Sequence, residues 1–144
     1  MPVLEIDGAR LHYLTTIPRG REQPTVLLLH GLGSCAEDWF LQRPSLEARF
    51  RLLIPDLRGH GQSSAPSDLP SVSALAEDVG RLLRALDQHA CHVVGLSLGG
   101  AVALVLPLDA RELVRSLVLV NSFARLPSSR QSWRHGAGRL ALLA

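Results

Sequence analysis

Lysine is absent from this chain. All 15 basic residues are arginine, a usage that reads as codon bias in a GC-rich genome rather than as a binding feature. The formal net charge is only +2, which makes no case for nucleic acid as a partner. Cysteine occurs just twice, as Cys35 and Cys91. Their spacing suits neither a metal site nor a disulfide framework. Both read as reduced, incidental thiols, Cys91 in the core and Cys35 at the surface. No apolar run reaches the ~20 residues that span a bilayer. The opening "MPVLEIDGAR" is neither basic nor apolar enough for a signal peptide. Repeats and low-complexity tracts are missing too. What remains is a 144-residue chain, 47% apolar. That is the size of one ordinary domain, with enough apolar residues for a core. It is expected to be cytoplasmic, with no membrane partner.

Acidic residues are missing from one region. Residues 122–144 hold Arg125, Arg130, Arg134 and Arg139 and no acid, a net +4. Residues 1–121 hold 11 arginines against all 13 acids, a net −2. The chain therefore divides into residues 1–122 and a basic tail, 123–144, that ends in "LALLA".

The first part alternates strand and helix patterns. "VLEIDGARLHYLTT" predicts a β-hairpin turning at Asp7-Gly8. "TVLLLH", "RLLIPD", "CHVVGLS" and "VRSLVLV" are short apolar runs, as in strands buried on both faces. Between them, apolar residues at 72, 75, 76, 79, 82, 83 and 86 predict a helix over Val72–Leu86. Ser73 is expected to cap it, with Glu77 and Asp78 near the positive end of its dipole. Pro107 is expected to interrupt the helix that follows "CHVVGLS". The fold class is α/β: a mainly parallel, doubly wound sheet with an N-terminal hairpin. Such sheets place their chemistry at the carboxyl ends of the strands.

Three strand ends carry suggestive residues. Gly95-Leu96-Ser97-Leu98-Gly99 fits G-x-S-x-G between a strand and a helix. A nucleophile at that turn requires positive φ at Ser97, and glycines at 95 and 99 to avoid clashes. The N-terminal dipole of the following helix favours the negative charge that develops there. His30-Gly31-Leu32-Gly33 follows the first buried strand. A tight turn at Gly31 aims the Leu32 N–H towards Ser97. With the Leu98 N–H it makes a two-donor oxyanion hole. His30 itself reads as a packed structural histidine, not a base. Asp56-Leu57-Arg58-Gly59-His60-Gly61 follows the second buried strand. Its Asp56 and Arg58 are expected to bond backbone and hold the loop. His12, His89, His92 and His135 are scattered and carry no assigned role.

A rival pattern overlaps the glycine turn. Gly31-Leu32-Gly33-Ser34-Cys35-Ala36 also fits G-x-G-x-x-A, and Asp56 sits where a ribose-binding acid is expected. That would make the chain a dinucleotide-binding oxidoreductase fragment. It leaves "GLSLGG" unexplained.

"VLLLHGLG", "IPDLRGHGQSS", "VVGLSLGG" and "RSLVLVNS", in this order, resemble the α/β-hydrolase fold superfamily. The closest likeness is to its serine esterase and lactonase-like branch. The resemblance covers residues 3–122 and implies the N-terminal portion of a hydrolase core. Ser97 would be the nucleophile, with Leu32 and Leu98 as oxyanion donors and residues 123–144 as the start of a cap. The substrate would be a small ester-like molecule. No metal or cofactor is implied. Serine rather than aspartate at 97 argues against the dehalogenase and epoxide-hydrolase branches.

The family order is serine, acid, histidine. After Ser97 the sequence offers only Asp109, Glu112 and His135, and none sits in the family's setting. The position after "LVLV" is Asn121. The chain is therefore expected to be an inactive portion of a hydrolase, with a non-catalytic binding module as the alternative. Val114–Val120 is expected to be an exposed edge strand that invites self-association.

Overall fold

The computed structural model describes residues 2–6, 8–17, 23–68 and 70–124. Asp7 and the basic tail from residue 125 onward, with His135, lie outside them. Six strands form one sheet: β1 (Val3–Ile6), β2 (Ala9–Thr15), β3 (Thr25–Leu29), β4 (Arg51–Pro55), β5 (Cys91–Leu96) and β6 (Val114–Val120). Among the described residues three α-helices accompany them: α1 (Arg43–Glu47), α2 (Val72–Ala85) and α3 (Leu98–Asp109). Short 3-10 turns lie at Ala36–Trp39 and Arg111–Leu113.

The spatial order is β1-β2-β4-β3-β5-β6. β1 and β2 form the expected antiparallel hairpin, and β2 runs antiparallel to β4. The remaining pairs, β4–β3, β3–β5 and β5–β6, are parallel. From β3 the chain goes first to β4 on one side and then crosses to β5 on the other. The carboxyl ends of β3 and β5 therefore flank the point where the winding reverses. In open α/β sheets that is where ligands bind.

Burial explains the layers. One core cluster joins the sheet to α2 and α3 through Leu27, Leu29, Leu53, Leu82, Val93 and Val102, among others. A smaller one, on the opposite face, joins Val26, Leu28, Leu52 and Ile54 to Ala36, Trp39, Leu46 and Phe50. β3 and β4 are accordingly buried on both faces, as expected. β5 instead alternates buried and half-buried residues, and most of β6 is exposed. Hydrophobicity alone overstated the burial of these two strands. Among the described residues β6 is an edge, and Val118, Leu119 and Val120 are each more than two-fifths exposed.

The helices correct three further expectations. The cap of α2 is Ser71, not Ser73: its hydroxyl accepts from the Ala74 N–H at 3.1 Å. The helix begins one residue after Ser71, so Ser73 already lies inside it. Glu77 and Asp78 fall beyond its first turn. Pro107 does not interrupt α3, which continues to Asp109. The proline lies in the last turn, so only one helical bond is lost near a fraying end.

Candidate active site

The turn at Ser97 is built as its sequence requires. Ser97 has φ 51° and ψ −111°, between the end of β5 and the first residue of α3. Positive φ at a serine costs about 1–3 kcal/mol and persists only when its surroundings enforce it. Three glycines do so. A Cβ on Gly95 would meet the Gly99 carbonyl and the Gly100 Cα, the latter at 2.6 Å. One on Gly99 would meet the carbonyl oxygens of Leu29 and His30, the latter at 2.6 Å. One on Gly100 would strike the Ser122 side chain. The clashes are with backbone and with a packed side chain, so they cannot be relieved cheaply. Gly100 and Ser122 had escaped the sequence reading. The doubled glycine of "SLGG" was the only hint.

β6 grips the turn from the side. The Ser97 N–H donates to the Val120 carbonyl at 3.0 Å. The Ser122 hydroxyl donates to the Ser97 carbonyl at 2.9 Å. That carbonyl also receives the N–H groups of Gly100 and Ala101. The first N–H groups of any helix lack intrahelical partners, and Leu98 opens α3.

The register of β3 with β5, Leu29 opposite Gly95, carries the two strand ends together. Two residues on, a Cβ at Gly31 would lie 3.6 Å from the Cβ of Ser97. The Gly31 turn and Ser97 thus meet across the reversal point, as expected, with Leu32 next in the chain. His30 is fully buried. Its Nδ1 lies 2.8 Å from the Gly31 carbonyl, and its Nε2 accepts the Leu57 N–H at 3.0 Å. This fixes a neutral ring with the proton on Nδ1 and leaves no nitrogen free to act as a base. Burial holds its pKa below the ordinary value, helped by His60 and opposed by the Gly31 bond and by Asp56 and Asp38.

A neutral buried histidine has a consequence for stability. In the unfolded chain the ring titrates near pH 6.5. Below that pH the unfolded state binds a proton that the folded state resists. Stability therefore falls as pH drops from about 6.5 through the lowered folded value, by up to ~1.4 kcal/mol per pH unit. Urea midpoints at pH 7 and 5.5 are expected to show this drop. In His30→Gln the drop is expected to shrink, although that variant starts less stable. An equal drop in both proteins would contradict the assignment.

Asp56 is structural, but it is held by more than the local loop. Its Oδ1 accepts the Ala36 N–H at 2.6 Å, and its Oδ2 accepts the Gln62 N–H at 2.9 Å. Its third partner is the buried His12 ring, at 2.7 Å. Burial pushes the carboxyl pKa up, and these donors more than reverse it, so the net shift is downward. A carboxylate so engaged, 2% exposed, is turned into the fold and is not presented to a ribose. The G-x-G-x-x-A pattern fails at its next element too: Ala36 begins a one-turn 3-10 helix rather than a long one. Arg58 departs from expectation. It bonds side chain to side chain with Asp78 of α2, Nε to Oδ2 at 2.8 Å, instead of with backbone. Cys91 is buried as expected, its thiol pushed up to about 11 by burial, while Cys35 is half-buried.

No acid of the later chain approaches Ser97 in these elements. Asp109 closes α3, about 17 Å along its axis from Leu98 at 1.5 Å per residue. Glu112 pairs on the surface with Arg84 at 3.2 Å. Asn121, at the end of β6, has φ 45°.

A family model described as the alpha/beta hydrolase fold matches residues 24–143. Among solved structures, a hydrolase from Pseudomonas aeruginosa PA01 is 39% identical with a TM-score of 0.81, over 88% of this chain and 48% of that one. The enol-lactonase from Burkholderia xenovorans LB400 is 31% identical with a TM-score of 0.81, over 86% of this chain and 48% of that one. Among curated proteins, one from Variovorax paradoxus (strain S110), provisionally named carbamate hydrolase RutD, is 42% identical over 92% of this chain and 49% of its own length. Epoxide hydrolases also occur among the matches. The chain spans just under half the length of each of the three proteins described.

Proposed function

The chain belongs to the alpha/beta hydrolase fold family, and from that premise we propose that it forms the N-terminal portion of a serine hydrolase acting on a carboxylic ester or lactone. The observation that carries this reading is Ser97. It is a serine at positive φ, walled in by Gly95, Gly99 and Gly100 and facing the Gly31 turn. That much strain at a strand-to-helix turn is what a presented nucleophile needs. In the reaction Ser97 Oγ bonds to the substrate carbonyl carbon and loses its proton to a general base. The Leu32 and Leu98 N–H groups hold the oxyanion. The carbon–oxygen bond to the leaving alcohol then breaks, and that alcohol takes up the proton. Water then attacks the acyl carbon and gives a proton to the base; the bond to Ser97 Oγ breaks, Oγ takes the proton back, and the carboxylic acid leaves.

The base and its orienting acid are assigned to chain beyond residue 144; among the described residues, His30 has both ring nitrogens bonded, Asp109 closes α3 and Glu112 pairs with Arg84. Residues 123–144 are assigned to the start of a cap, and the protein to the cytoplasm. Among the described residues no helix is long and apolar enough to cross a membrane. The reading is tested by a fluorophosphonate probe on the full-length gene product. A single label is expected, mapping to Ser97 by mass spectrometry. Label elsewhere, or none, would count against it.

The alternative reading, a non-catalytic binding module, is favoured if the 144-residue chain is a stable monomer. We expect the opposite. Among the described residues β6 pairs only with β5 and exposes Val118, Leu119 and Val120, and such edges pair with other chains. Light scattering on the 144-residue chain is expected to show dimers or larger species. A monodisperse monomer with a cooperative melt would support the module.

A further inference from the structure

Each N–H assigned to the oxyanion hole shares a peptide unit with a carbonyl that a side chain grips from behind. The Leu32 N–H belongs to the peptide whose carbonyl, Gly31's, is held by His30 Nδ1 at 2.8 Å. The Leu98 N–H belongs to the peptide whose carbonyl, Ser97's, is held by the Ser122 hydroxyl at 2.9 Å. In a planar trans peptide the C=O and N–H point in opposite directions. Fixing one end aims the other. Donation to the carbonyl also polarises the unit, making its N–H a stronger donor.

We propose that Ser122 is a positioning residue for the Ser97 site, one that orients and polarises the Leu98 N–H through the Ser97 carbonyl. The proposal rests on the hydrolase reading above. Two features show that the contact is built rather than incidental. Ser122 lies 25 residues from Ser97, so only the tertiary fold brings them together. The space its side chain fills is available only because residue 100 is glycine. The same segment takes the Ser97 N–H through Val120. Both backbone polar groups of the strained residue are therefore held from the end of β6. The bonds from Gly100 and Ala101 to the same carbonyl come from α3 itself, so they cannot fix the turn against the neighbouring strand.

The experiment compares Ser122→Ala and Ser122→Thr in the full-length gene product, with p-nitrophenyl acetate as substrate and the Leu98 backbone amide followed by NMR. Ser122→Ala is expected to lower kcat about tenfold with KM unchanged, a fraction of the 10²–10³ lost when an oxyanion donor is removed outright. It is also expected to move the Leu98 amide resonance. Ser122→Thr, which keeps the hydroxyl, is expected to restore the resonance and most of kcat. An unmoved Leu98 resonance in Ser122→Ala would overturn the proposal, as would loss of kcat that Ser122→Thr does not rescue while the resonance stays in place. Ser97→Ala serves as the separate test of the hydrolase reading. If it leaves turnover intact, that reading falls, and the resonance still decides the clamp.

Discussion

Ser97→Ala in the full-length gene product is expected to lower kcat on a p-nitrophenyl ester by about 10⁶, with KM little changed. That is the scale seen in a serine hydrolase when nucleophile or base is removed, with roughly 10³–10⁴ over water surviving from oxyanion hole and binding. The methyl group of alanine fits the turn, because Ser97 already carries its Cβ at φ 51°. The variant should therefore fold, and the loss should be chemical. The 144-residue chain is expected to behave like that variant from the start. Among the described residues no imidazole is hydrogen-bonded to the Ser97 hydroxyl, so no base is in place to take the proton during attack. Steady-state turnover by the short chain, lost on Ser97→Ala, would show that the base lies within these 144 residues. His135 would then be the first candidate.

The second large effect is on stability. Gly99→Ala is expected to destabilise the fold by about 4 kcal/mol or more, at the exceptional end of single substitutions. A Cβ there would press on the carbonyl oxygens of Leu29 and His30, which belong to the end of β3 and cannot move without displacing the Gly31 turn. Gly99→Val is expected to be worse, since β-branching adds two more atoms in the same space. Gly80 provides the contrast. It lies inside α2, and a Cβ there would meet only Arg84 and Leu106 side-chain atoms at an ordinary 3.5 Å. Gly80→Ala is thus expected to leave stability unchanged or raise it by up to about 1 kcal/mol, from helix propensity. Urea midpoints of the three variants check this. A Gly99→Ala protein melting with the parent would mean that the close approach of α3 to β3 is wrong.

What could be read in advance was local. Each strand run is continuous in sequence, and the Ser97 turn declares itself by glycines two residues to either side. The missed contacts link residues far apart. His12 meets Asp56 across 44 positions, and Arg58 meets Asp78 across 20. Nothing in "RLHYL" marks His12 as buried, because its partner arrives from another strand. The Ser71 cap was missed for a different reason. Two serines flank Val72, and the choice depends on which residue first takes helical dihedrals. The edge position of β6, by contrast, follows from the family resemblance and not from periodicity, which does not encode sheet order.

The grip of β6 on Ser97 also sets a schedule. The strained serine is held by a carbonyl and a hydroxyl that lie 23 and 25 residues further along the chain. At roughly 5–20 residues per second of synthesis, these holds reach the growing chain on the order of 1–5 s after Ser97 itself. Until then the turn has its glycines but not its clamp, and the serine is free to relax out of positive φ. The Ser97 turn is thus among the last parts of the six-stranded sheet to be set. A nascent chain passes through β3, β4 and β5 with its serine still undrawn.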